Sequence, residues 1–429
     1  MNREKRDLVA LFGAFASVWA TIAIGVAISS AVRDGHLGFL QLDSSVRVDL
    51  GAENDNIAIA LRSGRGFSDP FLATSGPTAW MPPAFPNLLA CLYYVANDQR
   101  MVVEWMFMVF QIGTFGVIGS LAVLVAQRFD RHPLRMAFLF GFAAWAQFFS
   151  IFQFSHGQAL ESVAVIVAML ALLLLQKPNS TSALLAGLLA GGVALVFPAA
   201  AIAWAVIAGW MQRQKPQLLA LSYLALLVVV GPWIGRNYAK FGKVLPIKSN
   251  AAFELWQSMS QSSDGIVDAE VLRQHPFFAD SPEYLEYVRM GERAYLEKKG
   301  AVAIQLVFES PWRYCLHTKN RFLAALVWQR PWRVNQPVNW WTLGISRAWK
   351  IVVLVSMGIV LFNLRSANRL AKIAVAMTLC VILPYVLVSY YERYAWPLLP
   401  LQLIIVYEAW NRIDHGNLLE NPMSGVQLV

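Results

Sequence analysis

Charge is what this chain has least of. Only 14% of its 429 residues are Asp, Glu, Lys or Arg, against about a quarter in an ordinary soluble domain. That scarcity excludes a globule solvated on all sides, and it excludes a disordered polyelectrolyte. Cysteine is equally sparse. Cys91, Cys315 and Cys380 stand far apart and match no metal-ligand or disulfide spacing. No P-loop, GxGxxG, HExxH or CxxC pattern occurs, and no cytoplasmic domain is left over to bind ATP or a nucleotide sugar. Internal repeats and low-complexity tracts are also missing, which removes solenoids and arrays.

What is present is apolar sequence in long runs. Hydrophobic residues make up 57%, and the mean hydropathy is +0.48. A hydrocarbon core roughly 30 Å thick takes about 20 apolar residues in a helix. On that measure the runs predict an all-α polytopic membrane protein of about ten spans, at 8–32, 101–126, 134–153, 158–176, 182–197, 198–212, 217–235, 347–364, 373–389 and 395–410. The first run is too long for a signal peptide and shows no small-residue cleavage site, so a retained span is expected. The short segment 83–97 opens on a double proline and is expected to lie at the interface or re-enter.

The net charge of +9 sits in clusters between the runs. Arg3, Lys5 and Arg6, then Arg128, Arg131 and Arg135, then Arg213 and Lys215, then Arg365, Arg369 and Lys372 mark cytoplasmic ends. The charge therefore reads as membrane orientation, and no nucleic-acid partner is expected. The expected location is the cell inner (plasma) membrane. This topology divides the chain into a transmembrane region at 1–235 with an outer loop at 33–97, a partly helical outer subdomain at 236–346, and C-terminal spans with a tail at 347–429.

The first outer loop holds the densest chemistry. Residues 49–86 carry Asp49, Glu53, Asp55 and Asp69, with Gly64, Gly66 and Gly76 and the prolines at 70, 77, 82, 83 and 86. Loops of this length are usually functional or disordered, and the Trp, Phe and Ile content argues for order. On a helix Asp49 and Glu53 share a face and Asp55 lies on another. A carboxylate here can act as a general base on a hydroxyl, bind a divalent cation, or simply cap or solvate a helix. Trp80 can stack on a sugar or anchor the loop at the bilayer surface. Arg236 and Lys248, after the seventh run, can pair with lipid phosphate or snorkel. Arg393, in the turn YYERYAWP, can hold a phosphate or pair locally with Glu392. Glu161 lies within apolar sequence beside His156 and Gln158, where an ionisable group is a functional candidate. His275, Glu283, Glu286 and Glu292 read as surface and capping residues.

Several of these pieces, taken together, resemble bacterial membrane glycosyltransferases of the GT-C superfamily, akin to family 39 protein mannosyltransferases and lipid A aminoarabinose transferases. In the first loop they are Glu53-x-x-x-Ile57-Ala58, Gly64-x-Gly66-Phe67-Ser68-x-Pro70-Phe71 and Gly76-Pro77-Thr78-Ala79-Trp80-x-Pro82-Pro83. Later they are Pro232-Trp233 with Arg236-Asn237-Tyr238, Val244-x-Pro246-x-Lys248-x-Asn250, Glu254-Leu255-Trp256, Gly291-Glu292 with Tyr295, and Arg393-Tyr394 with Pro397. The resemblance implies a GT-C-like fold with its site facing the periplasm or exterior. It implies transfer of a sugar from a polyprenyl-phosphate donor to an extracytoplasmic acceptor, by an inverting route, in cell-envelope glycan or lipid modification. Glu53 then matches the catalytic acid position, with Asp55 and Asp49 as substitutes. Arg236, Lys248, Arg393, Trp80 and Tyr394 would bind the donor and its lipid phosphate. The resemblance fixes no cofactor and leaves a divalent cation open. A divalent cation is used by only some of the superfamily, and Glu53-Asn54-Asp55 in place of adjacent acids weighs against one here. The rival readings are a lipid or glycan transporter or flippase and a non-catalytic partner in an envelope-assembly complex.

Overall fold

The computed structural model describes residues 50–107, 109–111, 113, 114, 118, 157–177, 179–279, 281–328 and 340–414. The predicted spans 8–32 and 134–153, much of 101–126, and the residues Asp49 and His156 lie outside the described residues. Within them every regular element is a helix. The elements are α1 (Ala52–Arg62), α2 (Ala84–Val95), α3 (Gln158–Leu174), α4 (Ser180–Val196), α5 (Pro198–Met211), α6 (Pro216–Phe241), α7 (Ala251–Ser260), α8 (Ala269–Leu272), α9 (Pro282–Met290), α10 (Glu292–Glu309), α11 (Pro311–Leu326), α12 (Trp340–Phe362), α13 (Arg369–Leu387), a 3₁₀ helix (Glu392–Leu398) and α14 (Leu399–Asp414). No strand forms among the described residues, and the two β-bridges, Ser68 with Pro77 and Ile266 with Tyr390, are isolated.

Three of these helices are long and apolar enough to cross a membrane: Pro216–Phe241, Leu343–Phe362 and Arg369–Leu387. The helices over the predicted runs at 158–176, 182–197 and 198–212 are apolar but have only 17, 17 and 14 residues. The last predicted span begins as the 3₁₀ turn and continues as a 16-residue helix.

Local chemistry explains most boundaries. Asn179 caps α4 by accepting the Ser182 N–H, and Pro198 opens α5 one residue after α4 has ended. Ser281 caps α9 through the Tyr284 N–H, as the sequence suggests. Two boundaries differ from expectation. The sequence from Pro282 to about Phe308 has helical periodicity, yet the helix is split at Gly291, whose φ of 73° lies in the left-handed region. The helix over the seventh run, expected at 217–235, continues past that end. The helix carries Pro232 inside it and stops at Gly242, with φ 64°. A proline removes one ladder hydrogen bond, which the surrounding helical turns tolerate here, and Arg236 and Asn237 consequently sit on the last turns of α6.

Small residues bring α4 against α6. A Cβ on Gly187 would stand 2.0 Å from the Ser222 carbonyl oxygen, and one on Gly191 would stand 2.6 Å from Val229 Cβ. Close backbone approach of this kind is how helices associate without a hydrophobic drive. Gly187→Val is therefore expected to destabilise the protein in detergent by about 3 kcal/mol or more, because backbone has to move. Gly192→Ala, with nothing within 4 Å of the new methyl, is expected to be neutral or slightly stabilising. Thermal unfolding of both variants checks this, and equal midpoints would refute the packing argument.

Candidate active site

The first loop folds as a strut, and that places Glu53. Phe67 O accepts the Thr78 N–H at 3.3 Å and Gly76 O accepts the Asp69 N–H at 2.8 Å. Asp69 bridges the turn, accepting from Gly76 N at 2.9 Å and from Arg65 Nε at 2.8 Å. Asn56 of α1 donates to the Phe71 and Pro70 carbonyls, tying the helix to the loop. Below the loop, Phe71, Trp80, Phe253, Tyr287 and Tyr295 form a buried aromatic core, with Phe71 and Trp80 edge to face at 4.9 Å.

The segment carrying Lys248 is clamped from both sides. Trp233 Nε1 of α6 donates to Ile247 O at 3.0 Å, and Asn237 Nδ2 donates to Leu245 O at 2.9 Å. The Ser249 N–H donates to Ala79 O of the first loop at 2.9 Å. Glu292, at the start of α10, locks the same junction. Its carboxylate accepts from Thr78 Oγ1 at 2.5 Å, Ala79 N at 2.8 Å, Ser249 Oγ at 2.8 Å and Tyr287 Oη at 2.8 Å. Burial raises its carboxyl above the ordinary carboxylate range, while these donors pull it back. Glu292 is thus a buried structural hub, and its reading as a surface or capping residue is corrected.

Arg393 arrives from the far end of the chain. The 3₁₀ turn that holds it is pinned by an ion pair between Glu392 and Lys350 of α12, and Lys350 also donates to Ala324 O at 2.6 Å. The Arg393 guanidinium lies over the rings of Tyr391 and Tyr394, at 4.7 and 5.7 Å. Tyr394 in turn stacks on Tyr385 at 4.0 Å.

These supports bring five charged groups together. Lys248 lies within electrostatic reach of Glu53, Glu161, Glu254 and Arg393, and Arg393 within reach of Glu53, Glu254 and Glu161. Among the described residues Lys248 makes no hydrogen bond or close ion pair. Burial lowers the Lys248 ammonium and raises the Glu254 carboxyl, each opposed by the other's charge. Glu254 accepts from Asn250 Nδ2 at 3.2 Å, and the Ser389 hydroxyl lies beside its carboxylate and helps to hold the charge. Glu53 keeps 15% of its side chain exposed. A partly exposed carboxylate and an ammonium without a close partner, held by fixed backbone, make a site prepared for a polar ligand.

The other sequence candidates fall elsewhere. Both Asp55 oxygens are occupied, one by Tyr93 Oη at 2.7 Å and one by Arg100 at 2.7 Å. Its carboxyl is raised by burial and held back by those two partners, so it joins α1 to α2 and the helix that begins at residue 100. Arg236 spends its guanidinium on the loop, donating to Thr78 O at 2.6 Å and Phe67 O at 2.5 Å and lying 5.0 Å over Trp233. Trp80 is 1% exposed and belongs to the aromatic core, not to the surface of the cluster.

Sequence reasoning gave Glu161 no partner and set His275 aside. Lys248 and Arg393 lie within electrostatic reach of Glu161. His275 is 3% exposed, and its Nε2 approaches Glu53 Oε1 at 3.9 Å. Its one signal in the sequence is the aromatic flank Phe277-Phe278. No set of three or more His, Cys, Asp or Glu side chains among the described residues converges closely enough to hold a metal ion. No protein-family model, no curated protein and no solved structure matches this chain, so its chemistry is read from these side chains alone.

Proposed function

We propose that this chain is a multi-span membrane glycosyltransferase of the GT-C type. It moves a sugar from a polyprenyl-phosphate donor to an acceptor hydroxyl on the extracytoplasmic face of the inner membrane, with inversion. One observation carries the reading. A partly exposed carboxylate, Glu53, stands with two cations, Lys248 and Arg393, drawn from three distant parts of an apolar helical protein.

The chemistry follows from that set. The acceptor oxygen attacks the anomeric carbon as the bond from that carbon to the phosphate oxygen breaks. Glu53 takes the acceptor proton, and the electron pair leaves on the polyprenyl phosphate. The departing phosphate needs charge neutralisation more than protonation, and Lys248 and Arg393 supply it in a water-poor setting where such charges count most. Arg236, Glu292 and Asp55 hold the frame. Tyr394, half-buried beside Arg393, offers an edge for the sugar or for the first isoprene unit.

The test is transfer in proteoliposomes with a panel of radiolabelled polyprenyl-phosphate sugars and an extract of envelope acceptors. At least one donor should be consumed, with the product anomer opposite to that of the donor. Lys248→Met should raise the donor KM about tenfold to a hundredfold, the cost of losing one charge-assisted phosphate contact. A panel in which no donor is consumed, or a Lys248→Met protein with an unchanged donor KM, would overturn the reading.

A further inference from the structure

The geometry points to His275 as a positioning residue for Glu53, acting as a neutral imidazole that presents its Nε2–H to the Glu53 carboxylate. Its kinetic consequence rests on the transfer reaction proposed above, whereas the tautomer itself does not.

The argument begins with the ring's other nitrogen. His275 Nδ1 lies 3.3 Å from the Phe277 backbone N–H, which donates to it. A nitrogen that accepts a hydrogen bond carries no proton, so in the neutral ring the proton is on Nε2. Nε2 is the atom facing Glu53 Oε1 at 3.9 Å. The ring cannot turn away easily. Phe71, Trp80 and Phe253 meet it edge-on, with centroids at 5.6, 5.8 and 5.1 Å, and Phe277 flanks it at 5.5 Å.

Burial is what chiefly keeps the ring neutral. Desolvation, aided by the charges of Arg393 and Lys248, presses its pKa down to about 3, against the opposite pull of the Glu53 carboxylate at 3.9 Å. An imidazolium there would add a third positive charge beside the first two. A neutral N–H donor orients a carboxylate without neutralising it, which suits a base that has to accept a proton. The 3.9 Å separation exceeds a hydrogen bond by about 1 Å, and contacts of this kind commonly close only when substrate is bound. The arrangement is that of a base oriented by a further group, with the carboxylate as the base and the imidazole as the orienter. The aromatic core thus becomes part of the reaction's support, because it holds the ring that aims Glu53.

Two measurements test this. Nitrogen NMR of the full chain in nanodiscs, labelled at its six histidines and assigned with His275→Gln, should show His275 neutral at pH 7 with the proton on Nε2. That resonance should shift in Glu53→Gln. An Nδ1–H tautomer, an imidazolium, or a resonance blind to Glu53→Gln would overturn the inference, whether or not the protein transfers sugar. In the transfer assay, His275→Phe should lower kcat about tenfold to a hundredfold with the donor KM within about twofold of wild type. His275→Gln, whose amide N–H reaches the Nε2 position, should recover most of the loss. His275→Asn, whose amide reaches only the Nδ1 position, should not. Equal activity in the Phe and Gln variants would show a packing role alone and overturn the inference. A wild-type protein that consumes no donor would instead overturn the transfer reaction, and the tautomer result would still stand or fall by itself.

Discussion

Glu53→Gln is expected to lower kcat about 10²- to 10⁴-fold, the range general base catalysis contributes, with little change in donor KM. The amide has the size of the carboxylate but cannot accept the proton. Glu53 sits in the first turn of α1 with 15% of its side chain exposed, and among the described residues its one close polar neighbour is His275, at 3.9 Å. Its replacement therefore leaves the packing of α1 on α2 in place. The donor phosphate is assigned to Lys248 and Arg393, which the change does not touch. Asp55→Asn makes the contrast. It breaks contacts to Tyr93 and Arg100, so it should cost stability while the chemical step is retained. Stopped transfer assays at saturating donor, with thermal unfolding alongside, separate the two. If Asp55→Asn loses turnover while Glu53→Gln keeps it, the base is wrongly assigned.

Glu292→Ala is expected to have the largest effect on stability, about 4 kcal/mol or more. The alanine leaves the Thr78, Ser249 and Tyr287 hydroxyls and the Ala79 N–H without their acceptor. A buried donor left without a partner costs about 1–3 kcal/mol. These groups share one site, so the losses do not simply add. Ser249 adjoins Lys248, and Thr78 Oγ1 also accepts the Trp80 N–H at 2.9 Å. The damage should therefore spread to the first loop and to the cation beside it. Glu292→Gln keeps the volume and one oxygen, and rotating hydroxyls can accept from its amide, so about 1–2 kcal/mol is expected there. Thermal unfolding in detergent and proteolysis of residues 64–83 read both changes. A Glu292→Ala protein within 1 kcal/mol of wild type, by the same scale, would show that the hub is not structural.

Much of the local architecture was legible along the chain. Apolar runs gave helices, Ser281 gave a cap, and Pro198 gave the break between α4 and α5. Each signal acts within one helical turn, so neighbouring residues suffice to read it. The seventh run was expected to span 217–235, yet its helix carries Pro232 inside and runs on to Phe241, and Gly291 divides the helical stretch that follows Pro282. A proline inside an apolar helix costs one hydrogen bond, whereas a glycine held at φ 73° ends the helix outright.

The sequence by itself determined the class of solvent and the supply of reactive groups. Low charge and long apolar runs demand helices that face an apolar medium, and Glu53, Lys248 and Arg393 could all be named from their neighbours. Only the tertiary structure decided which groups meet. Arg236 reads along the chain like Lys248, yet it is consumed by the Thr78 and Phe67 carbonyls, while Lys248 is left within electrostatic reach of three carboxylates. His275 reads like a surface residue, yet the aromatic core holds it against Glu53. The physical reason is distance. A side chain's role depends on what its terminal atoms touch, and those partners lie far away in the sequence. They are brought in by backbone clamps such as Ser249 on Ala79 and Trp233 on Ile247, whose residue types alone do not reveal them.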